Sequence, residues 1–254
     1  MDVRRLILFV VLSFSILFFW STWQEKHAVR PASVASSQAD TPKAAPAVTE
    51  KVFQLASDKR VVVETDTYKA EIDTVGGDIR RIELLKHHAD NSNKQDFVLL
   101  DDRQLPLVYV AQSGLIGNDL PTHKTVFTSA SSSYQLKADQ NALQVALEAV
   151  NAAGVKVTKT HTFTRGSYVV KVDYQINNAS KAAIDPWVYY QIVHDSESNQ
   201  GSRMMPTFTG AAYFTDADKY KKVKFTEMAK EDLSKTSKDG WIGLVQHYFV
   251  SAWI

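Results

Sequence analysis

The sequence contains no cysteine among its 254 residues. This absence excludes disulfide bonds, thiolate metal sites and cysteine nucleophiles, so the folded part must be stabilised by an apolar core. An excess of charge of one sign is also missing, because the formal net charge is only +1. Proteins that bind nucleic acid need a basic face, and this balance gives no support for such a partner.

The short motifs that mark common catalytic and nucleotide sites are missing as well. Neither of the glycine-rich loops that cradle phosphates, GxGxxG and GxxxxGK[ST], occurs, and there is no GxSxG elbow and no HExxH zinc motif. We therefore expect a protein that is not an enzyme, with no catalytic residues, no cofactor and no metal site.

A long apolar run lies close to the N-terminus, at residues 6–23. As a helix this run would span about 27 Å, close to the roughly 30 Å of a bilayer's hydrocarbon core. A cleaved signal peptide has a shorter apolar part with small residues directly after it, whereas this run ends at Trp20 and Trp23, and the first plausible cleavage triplet is at 33–35. The sequence predicts an uncleaved transmembrane anchor over 6–23, preceded by residues 1–5 in the cytoplasm.

Residues 24–52 have the composition of a flexible linker. They include three prolines and no aromatic residue, and such a segment buries too little apolar surface to offset the entropy of ordering. Basic residues flank the anchor on both sides, but long domains cross membranes largely regardless of charge. We expect the rest of the chain to be exported.

From Phe53 onwards apolar and polar residues alternate, and few segments have a helical period. Turn signals such as Gly76-Gly77-Asp78 separate the alternating segments. The predicted strands are 61–66, 68–74, 79–85, 96–100, 107–111, 125–129, 134–138, 143–149, 155–164, 168–176, 187–194, 211–214 and 222–226. Three of them, between 143 and 176, should form an antiparallel meander. The predicted fold is mainly β, a large antiparallel sandwich over 53–254.

The final segment, 240–254, has two interpretations. Its apolar residues fit one face of a helix, but Gly240 and Gly243 would each cost about 1 kcal/mol inside a helix. We predict two buried strands instead, 241–245 and 250–254, joined by a tight turn. The sequence stops on apolar residues in the middle of this pattern, so we expect an incomplete domain.

Histidines are the candidate metal ligands and acid–base groups. His87 and His88 are adjacent, and neighbouring side chains on a strand point to opposite faces, so a solvated loop is favoured over a metal site. His194 and Asp195 follow an aromatic segment and could form an acid–base pair that His161 joins. No third group completes a catalytic set, so the favoured interpretation is a strand end with a surface histidine.

Two further groups of side chains have a structural and a functional interpretation. The lysines around Tyr220 predict a solvated edge strand, with contact to anionic lipid headgroups as the alternative. The aromatic residues of 187–190 and 213–214 are predicted to be core, and the alternative is a groove for a peptide or another ligand. The lysines are Lys219, Lys221, Lys222 and Lys224.

Several stretches are similar to the N-terminal part of the YidC family, the bacterial inner-membrane protein insertases, in its Gram-negative form. They occur in the family's order and cover the chain apart from the linker, and none is a catalytic signature. The stretches are MDVRRLILFVVLSFSILFFWSTW at 1–23, TVGGDI at 74–79, YVAQSGLIG at 109–117, TFTRGSYVVKVDYQINN at 162–178, FTGAAYFTDADKYKKVKF at 208–225 and GWIGLVQHYFVSAWI at 240–254.

The resemblance implies one transmembrane helix in the bacterial inner membrane and a large periplasmic β-super-sandwich, similar in shape to mutarotase-like folds. It also implies a role in the insertion and folding of inner-membrane proteins. The implied partners are nascent inner-membrane proteins, the lipid bilayer, and the Sec translocon with its accessory subunits. The family's insertase core is a later five-helix membrane domain, and no part of this sequence matches it.

Two other classes of function remain as alternatives. The first is a membrane-anchored periplasmic carbohydrate-binding or mutarotase-like protein, which would use His194 or His161 with a carboxylate such as Asp195 or Glu197. The second is a sensory domain. A sensor needs a cytoplasmic output module, and only five residues precede the predicted anchor.

Overall fold

A computed structural model describes residues 55–89, 95–103, 107–195, 207–246 and 248–254. These ranges contain fifteen strands and one short helix, so the predicted mainly β class is confirmed. Residues 1–54, which include the predicted anchor at 6–23 and the predicted linker at 24–52, lie outside the described residues. Among the helices of the described part, none has the length and apolar character needed to cross a membrane.

The elements follow one another in chain order with mostly short connections. They are β1 (Arg60–Glu64), β2 (Tyr68–Asp73), β3 (Asp78–His88), β4 (Asp96–Leu100), β5 (Tyr109–Ile116), β6 (Thr128–Ser129), β7 (Ser133–Gln135), β8 (Ala142–Val150), β9 (Val155–Thr164), β10 (Val170–Asn178), β11 (Trp187–His194), β12 (Thr209–Thr215), β13 (Lys219–Val223), α1 (Phe225–Met228), β14 (Gly240–Gln246) and β15 (Phe249–Trp253).

The strands form three sheets. The first has the order β11-β5-β3-β2-β1-β7, with β4 paired to β3, and its pairs are antiparallel except for the parallel pair β1–β7. The second has the order β10-β9-β8-β6, which confirms the predicted meander of three strands. The third has the order β13-β12-β14-β15 and is antiparallel throughout.

The core lies between the first and second sheets, which pack face to face as in a β-sandwich. Side chains at 0% exposure come from both, for example Val63 and Ile72 from the first sheet and Val145, Leu147 and Phe163 from the second. Alternation explains this arrangement, because successive side chains of a strand point to opposite faces. Along β9 every second residue is buried, from Val155 to Phe163.

Most predicted strands are confirmed, and three of them have the same bounds as in the structure: Asp96–Leu100, Val155–Thr164 and Trp187–His194. The final segment also forms two strands, β14 and β15, as expected, but the predicted burial is wrong: only Gly243 and Leu244 of β14 are buried and no residue of β15 is, because β15 is the outermost strand of its sheet. Within β14, Gly243 allows a close approach to β15, because an added Cβ would lie 2.6 Å from the Ser251 carbonyl oxygen.

The prediction for 222–226 is wrong. The strand lies earlier, at Lys219–Val223, and Phe225–Met228 is helical. The Glu227 carboxylate accepts a hydrogen bond from the Lys224 backbone N–H at 3.2 Å. A side chain that satisfies one of the free N–H groups at a helix start favours a helical turn over continued pairing. The strand predicted at 125–129 is also shorter, since only Thr128–Ser129 pair.

Candidate functional site

Three stretches on which the family resemblance rests meet in the interior. The TVGGDI stretch forms the turn between β2 and β3, where Gly76 and Gly77 have φ values of +81° and +60°. A Cβ at Gly76 would collide with the Asp78 carboxylate and with the His123 carbonyl oxygen. This turn therefore needs glycine both for its backbone conformation and for the close approach.

Lys159 of β9 reaches from the second sheet into this turn. Its ammonium group donates hydrogen bonds to the Gly76 carbonyl at 2.9 Å, the Ser113 carbonyl at 3.2 Å and the Asp78 carboxylate at 3.3 Å. The lysine side chain is only 1% exposed and that of Asp78 is 0% exposed. The side chain is therefore a polar connection between the two packed sheets.

The Asp78 carboxylate is held by several donors from β5. The Gln112 side-chain amide donates to it at 2.8 Å and the Ser113 backbone N–H donates at 3.2 Å. The Ser113 hydroxyl is in turn 2.9 Å from the Tyr174 hydroxyl of β10. We call Lys159, Asp78, Gln112, Ser113 and Tyr174 the polar hub.

Burial shifts the pKa values of the two charged groups in the polar hub. Desolvation lowers the pKa of Lys159 to about 8, against the opposing attraction of Asp78. Desolvation also raises the pKa of Asp78, against the attraction of Lys159. A buried ion pair of this kind is held in place by its hydrogen bonds, and removing one partner leaves an uncompensated charge. The arrangement fits a role in joining the sheets.

His161 lies on β9 two residues from Lys159 and is also buried. Its Nδ1 has no hydrogen-bond partner, and its pKa is well below the ordinary value because of burial and the nearby Lys159 charge. The alternative grouping of His161 with His194 and Asp195 gets no support from the described contacts of His161, whose ring lies beside that of Phe163 at 6.4 Å.

His194 ends β11, as predicted, but it is not a surface residue, since its side chain is only 7% exposed. Its ring stacks on Phe225 at 5.1 Å and lies 4.8 Å from the Tyr109 ring. The Asp195 carboxylate is 3.1 Å from His194 Nδ1 and accepts the Val108 backbone N–H at 2.9 Å. Phe225 covers this pair, which was not foreseen.

The carbohydrate-binding alternative relied on these histidines and a nearby carboxylate. His161 is enclosed in the core, and Asp195 is engaged by both the backbone and His194. Glu197 lies outside the described residues. The geometry gives this alternative no specific support.

His87 and His88 lie at the end of β3, so the expected loop is wrong. Both are exposed, His87 Nε2 is 3.2 Å from the Tyr168 hydroxyl, and His88 Nδ1 is 3.3 Å from the Asp96 carboxylate. Their different partners follow from the alternation of strand side chains. Within the described ranges, no three histidine or acidic side chains gather closely enough to hold a metal ion.

The lysine-rich segment is the outer strand of the third sheet, as the edge-strand interpretation predicted. Its lysines are exposed, and Lys222 Nζ lies 4.8 Å above the Phe208 ring. The aromatic segment of β11 is less buried than expected for core, since Trp187 is 70% exposed and Tyr190 39%. Tyr213 and Phe214 are half-buried.

An apolar groove opens beside Tyr190, with a volume of about 560 Å³. The groove is bounded by residues of β2, β3, β4, β5, β10, β11 and β15. Its lining includes Ile82, Leu84, Val172, Tyr190, Ile192 and Trp253. The Tyr190 and Trp253 rings are 4.7 Å apart. Strands β10, β11 and β15 are each outermost in their sheets as described, so the groove runs along sheet edges.

The polar hub was not predicted from the sequence. One signal was available for the hub, because Lys159 and His161 occupy the same alternating positions as the apolar residues Val157 and Phe163. A lysine at such a position must have a buried partner. A ligand groove was the alternative interpretation of the aromatic residues at 187–190, and Tyr190 of that segment lines the groove, but the other strands that form it are far apart in sequence.

Comparisons with known proteins agree with this architecture. The model of the YidC periplasmic domain family matches residues 60–254. Over its whole length, the chain is 53% identical to the membrane protein insertase YidC of Methylobacillus flagellatus, 42% identical to that of Aromatoleum aromaticum and 38% identical to that of Nitrosospira multiformis. The chain covers 49%, 49% and 50% of these relatives, so it spans about half of their length. The chain belongs to the YidC periplasmic domain family.

Proposed function

We propose that this chain is the anchored periplasmic part of a membrane protein insertase, which assists the insertion and folding of inner-membrane proteins. The observation that carries the proposal is the similarity of the whole chain to proteins named membrane protein insertase YidC, at up to 53% identity among those given above. The chain contributes a non-catalytic domain that contacts partners.

The proposal includes the placement of each part of the chain. Residues 6–23 cross the inner membrane, 24–52 form the linker, and 53–254 lie in the periplasm as a β-super-sandwich of the mutarotase-like type. The apolar run at 6–23 and the family match over 60–254 support this placement. The partners are nascent inner-membrane proteins and the Sec translocon with its accessory subunits.

The apolar groove is the part of the described surface that suits such a client. Its lining is dominated by aliphatic and aromatic side chains, and Val250 at its rim is 56% exposed. A nascent membrane protein brings apolar segments that lose contact with water when they enter such a groove. Outer strands beside the groove could also pair with an extended segment.

Complementation tests the function. A strain depleted of its own insertase should grow when it carries the intact gene that encodes this chain. An otherwise identical gene without the sequence for residues 60–254 measures what the domain adds. If the intact gene expresses a stable membrane protein and does not restore growth, the insertase function is wrong.

Site-specific cross-linking tests the groove separately. A photoreactive residue in place of Val250, within the intact protein, should capture a ribosome-bound nascent chain that carries one apolar span. Val150 is the matched control, since it is a valine of 65% exposure at the end of β8 and does not line the groove. Equal yields from the two positions would exclude the groove as the client site and leave the complementation result intact.

A further inference from the structure

A row of alternating charges connects the polar hub with the first described residues of the chain. The ion pairs in order are Lys159–Asp78 at 3.3 Å, Asp78–Arg80 at 3.8 Å, Arg80–Asp102 at 3.8 Å, Asp102–Arg60 at 2.7 Å and Arg60–Asp73 at 3.0 Å. The row ends at β1 and β2, beside residues 55–59. We call residues 55–59 the strap.

The strap lies on the body through polar contacts with the end of this row. Asp73 accepts hydrogen bonds from the Ser57 hydroxyl and, at 3.1 Å, from the Asp58 backbone N–H. Thr74 accepts the Lys59 N–H at 3.1 Å through its hydroxyl oxygen, and its own N–H donates to the Lys59 carbonyl at 2.9 Å. The strap therefore has defined partners without belonging to a sheet.

Arg80 adds one more contact, from its guanidinium to the carbonyl oxygen of Ala56 at 3.3 Å. The partners on the body are buried, with exposures of 0% for Asp73, 4% for Thr74 and 1% for Arg80. On the strap, residues 56–59 are exposed. The contact is thus between fixed, buried groups of the body and an exposed segment.

Little apolar surface holds the strap in place. Leu55 is half-buried, and in chain order the buried apolar core of the described residues begins only at Val61. The net contribution of each hydrogen bond is similar in size to the entropy lost when one residue is ordered. Docking of the strap is therefore close to balance, whereas strands β1 and β2 are stabilised by the core.

Release of the strap would leave its main partner satisfied. Asp73 keeps its ion pair with Arg60 at 3.0 Å and its hydrogen bond from the Val75 N–H at 2.8 Å. A buried carboxylate that retains such partners does not force the body to unfold. The body can therefore stay folded while the strap is free.

We propose that residues 55–59 are a releasable strap, which exchanges between a docked state on Asp73, Thr74 and Arg80 and a released state with the body still folded. Release adds five residues to the connection between the body and the segment before it. At about 3.4 Å per extended residue, the reach increases by roughly 17 Å. Release of the strap therefore lengthens the connection between the body and the segment before it by that amount.

Amide hydrogen exchange of the full chain in detergent micelles tests this proposal. The Asp58 and Lys59 amides should exchange at least about tenfold more slowly than in an unstructured peptide, yet much faster than the amides of β2. Thr74→Val removes the acceptor for Lys59, and Ser57→Ala removes one donor to Asp73 from the strap side. Each should accelerate exchange at Asp58 and Lys59 by about threefold or more and leave β2 within about twofold.

Ser132→Ala is the matched control for Ser57→Ala, because Ser132 is an exposed serine elsewhere on the body; it should leave the strap amides unchanged. Thr74 is buried, so Ser57→Ala keeps the test valid if Thr74→Val weakens the fold. Three results would overturn the proposal: unprotected strap amides in the parent chain, no response to Ser57→Ala, or equal acceleration in the strap and in β2.

Discussion

Replacement of Lys159 by methionine tests whether the polar hub joins the two sheets. Methionine fills a similar volume, but it leaves the Asp78 carboxylate, at 0% exposure, without its ammonium partner. Breaking a buried pair by removing one partner costs about 3–5 kcal/mol of unfolding free energy. We expect a loss in that range, since the hydrogen bonds to the Gly76 and Ser113 carbonyls are lost at the same time.

A double-mutant cycle separates the effect of the Asp78 charge, which in Lys159→Met keeps only Arg80 at 3.8 Å as an ion-pair partner, from the other effects. Adding Asp78→Asn to Lys159→Met removes the charge and leaves an amide whose single oxygen can still accept a hydrogen bond from Gln112 or from Ser113. The double variant should therefore recover to within about 2 kcal/mol of the parent chain, because replacement of a whole buried pair is often nearly neutral. The losses of the two single variants should not add.

The assay is urea unfolding of the full chain in detergent, followed by tryptophan fluorescence and circular dichroism. Lys156→Met is the matched control, since Lys156 lies on the same strand with a side chain 43% exposed and pairs with Glu148 at 2.8 Å. An exposed pair contributes about 0–1 kcal/mol. If Lys159→Met costs no more than Lys156→Met, or if the double variant loses the sum of the single losses, the polar hub does not join the two sheets in the way proposed.

Three further predictions concern single groups. The pKa of Lys159 is lowered to about 8 in the folded state, so between about pH 8 and 10 the unfolded chain holds a proton that the folded chain lacks. The free energy of unfolding should therefore rise with pH over this range, by an amount on the order of 3 kcal/mol. Denaturant unfolding measured across this range should show the rise in the parent chain and not in Lys159→Met. Gly76→Ala should lower the free energy of unfolding by about 1 kcal/mol or more beyond the loss in Gly166→Ala. Both glycines have positive φ, but of the two only Gly76 would place a Cβ within 4 Å of neighbouring atoms. Equal losses in the same assay would contradict the close approach at Gly76. Phe225→Ala should raise the pKa of His194, which burial lowers, and an NMR titration that shows no rise would mean that Phe225 does not cover the ring.

Much of the strand pattern could be predicted because strand periodicity is local. β9 and β11 were predicted with their bounds, since alternation and the flanking turn residues lie within a few positions of one another. The end of β13 was not predicted, because the choice between continued pairing and a helical turn at Phe225 depends on the Glu227 side chain that caps the turn.

The candidate sites were harder to predict for a related reason. His194 was singled out as a strand end, but its burial comes from Phe225, a residue of a separate element that the sequence did not place beside it. The groove depends on three outer strands that come from three different sheets. Such contacts are set by how sheets pack, which periodicity within one strand does not encode.

The sequence by itself determined that the body is built from alternating strands and, without cysteine, is stabilised by an apolar core. It also determined which face of β9 points inward, because alternation fixes the direction of every side chain along a strand. Only the tertiary structure decided that the inward-facing Lys159 meets Asp78, which is 81 positions away. A strand's own residues fix its faces, but the partner across the core depends on the register and packing of a second sheet.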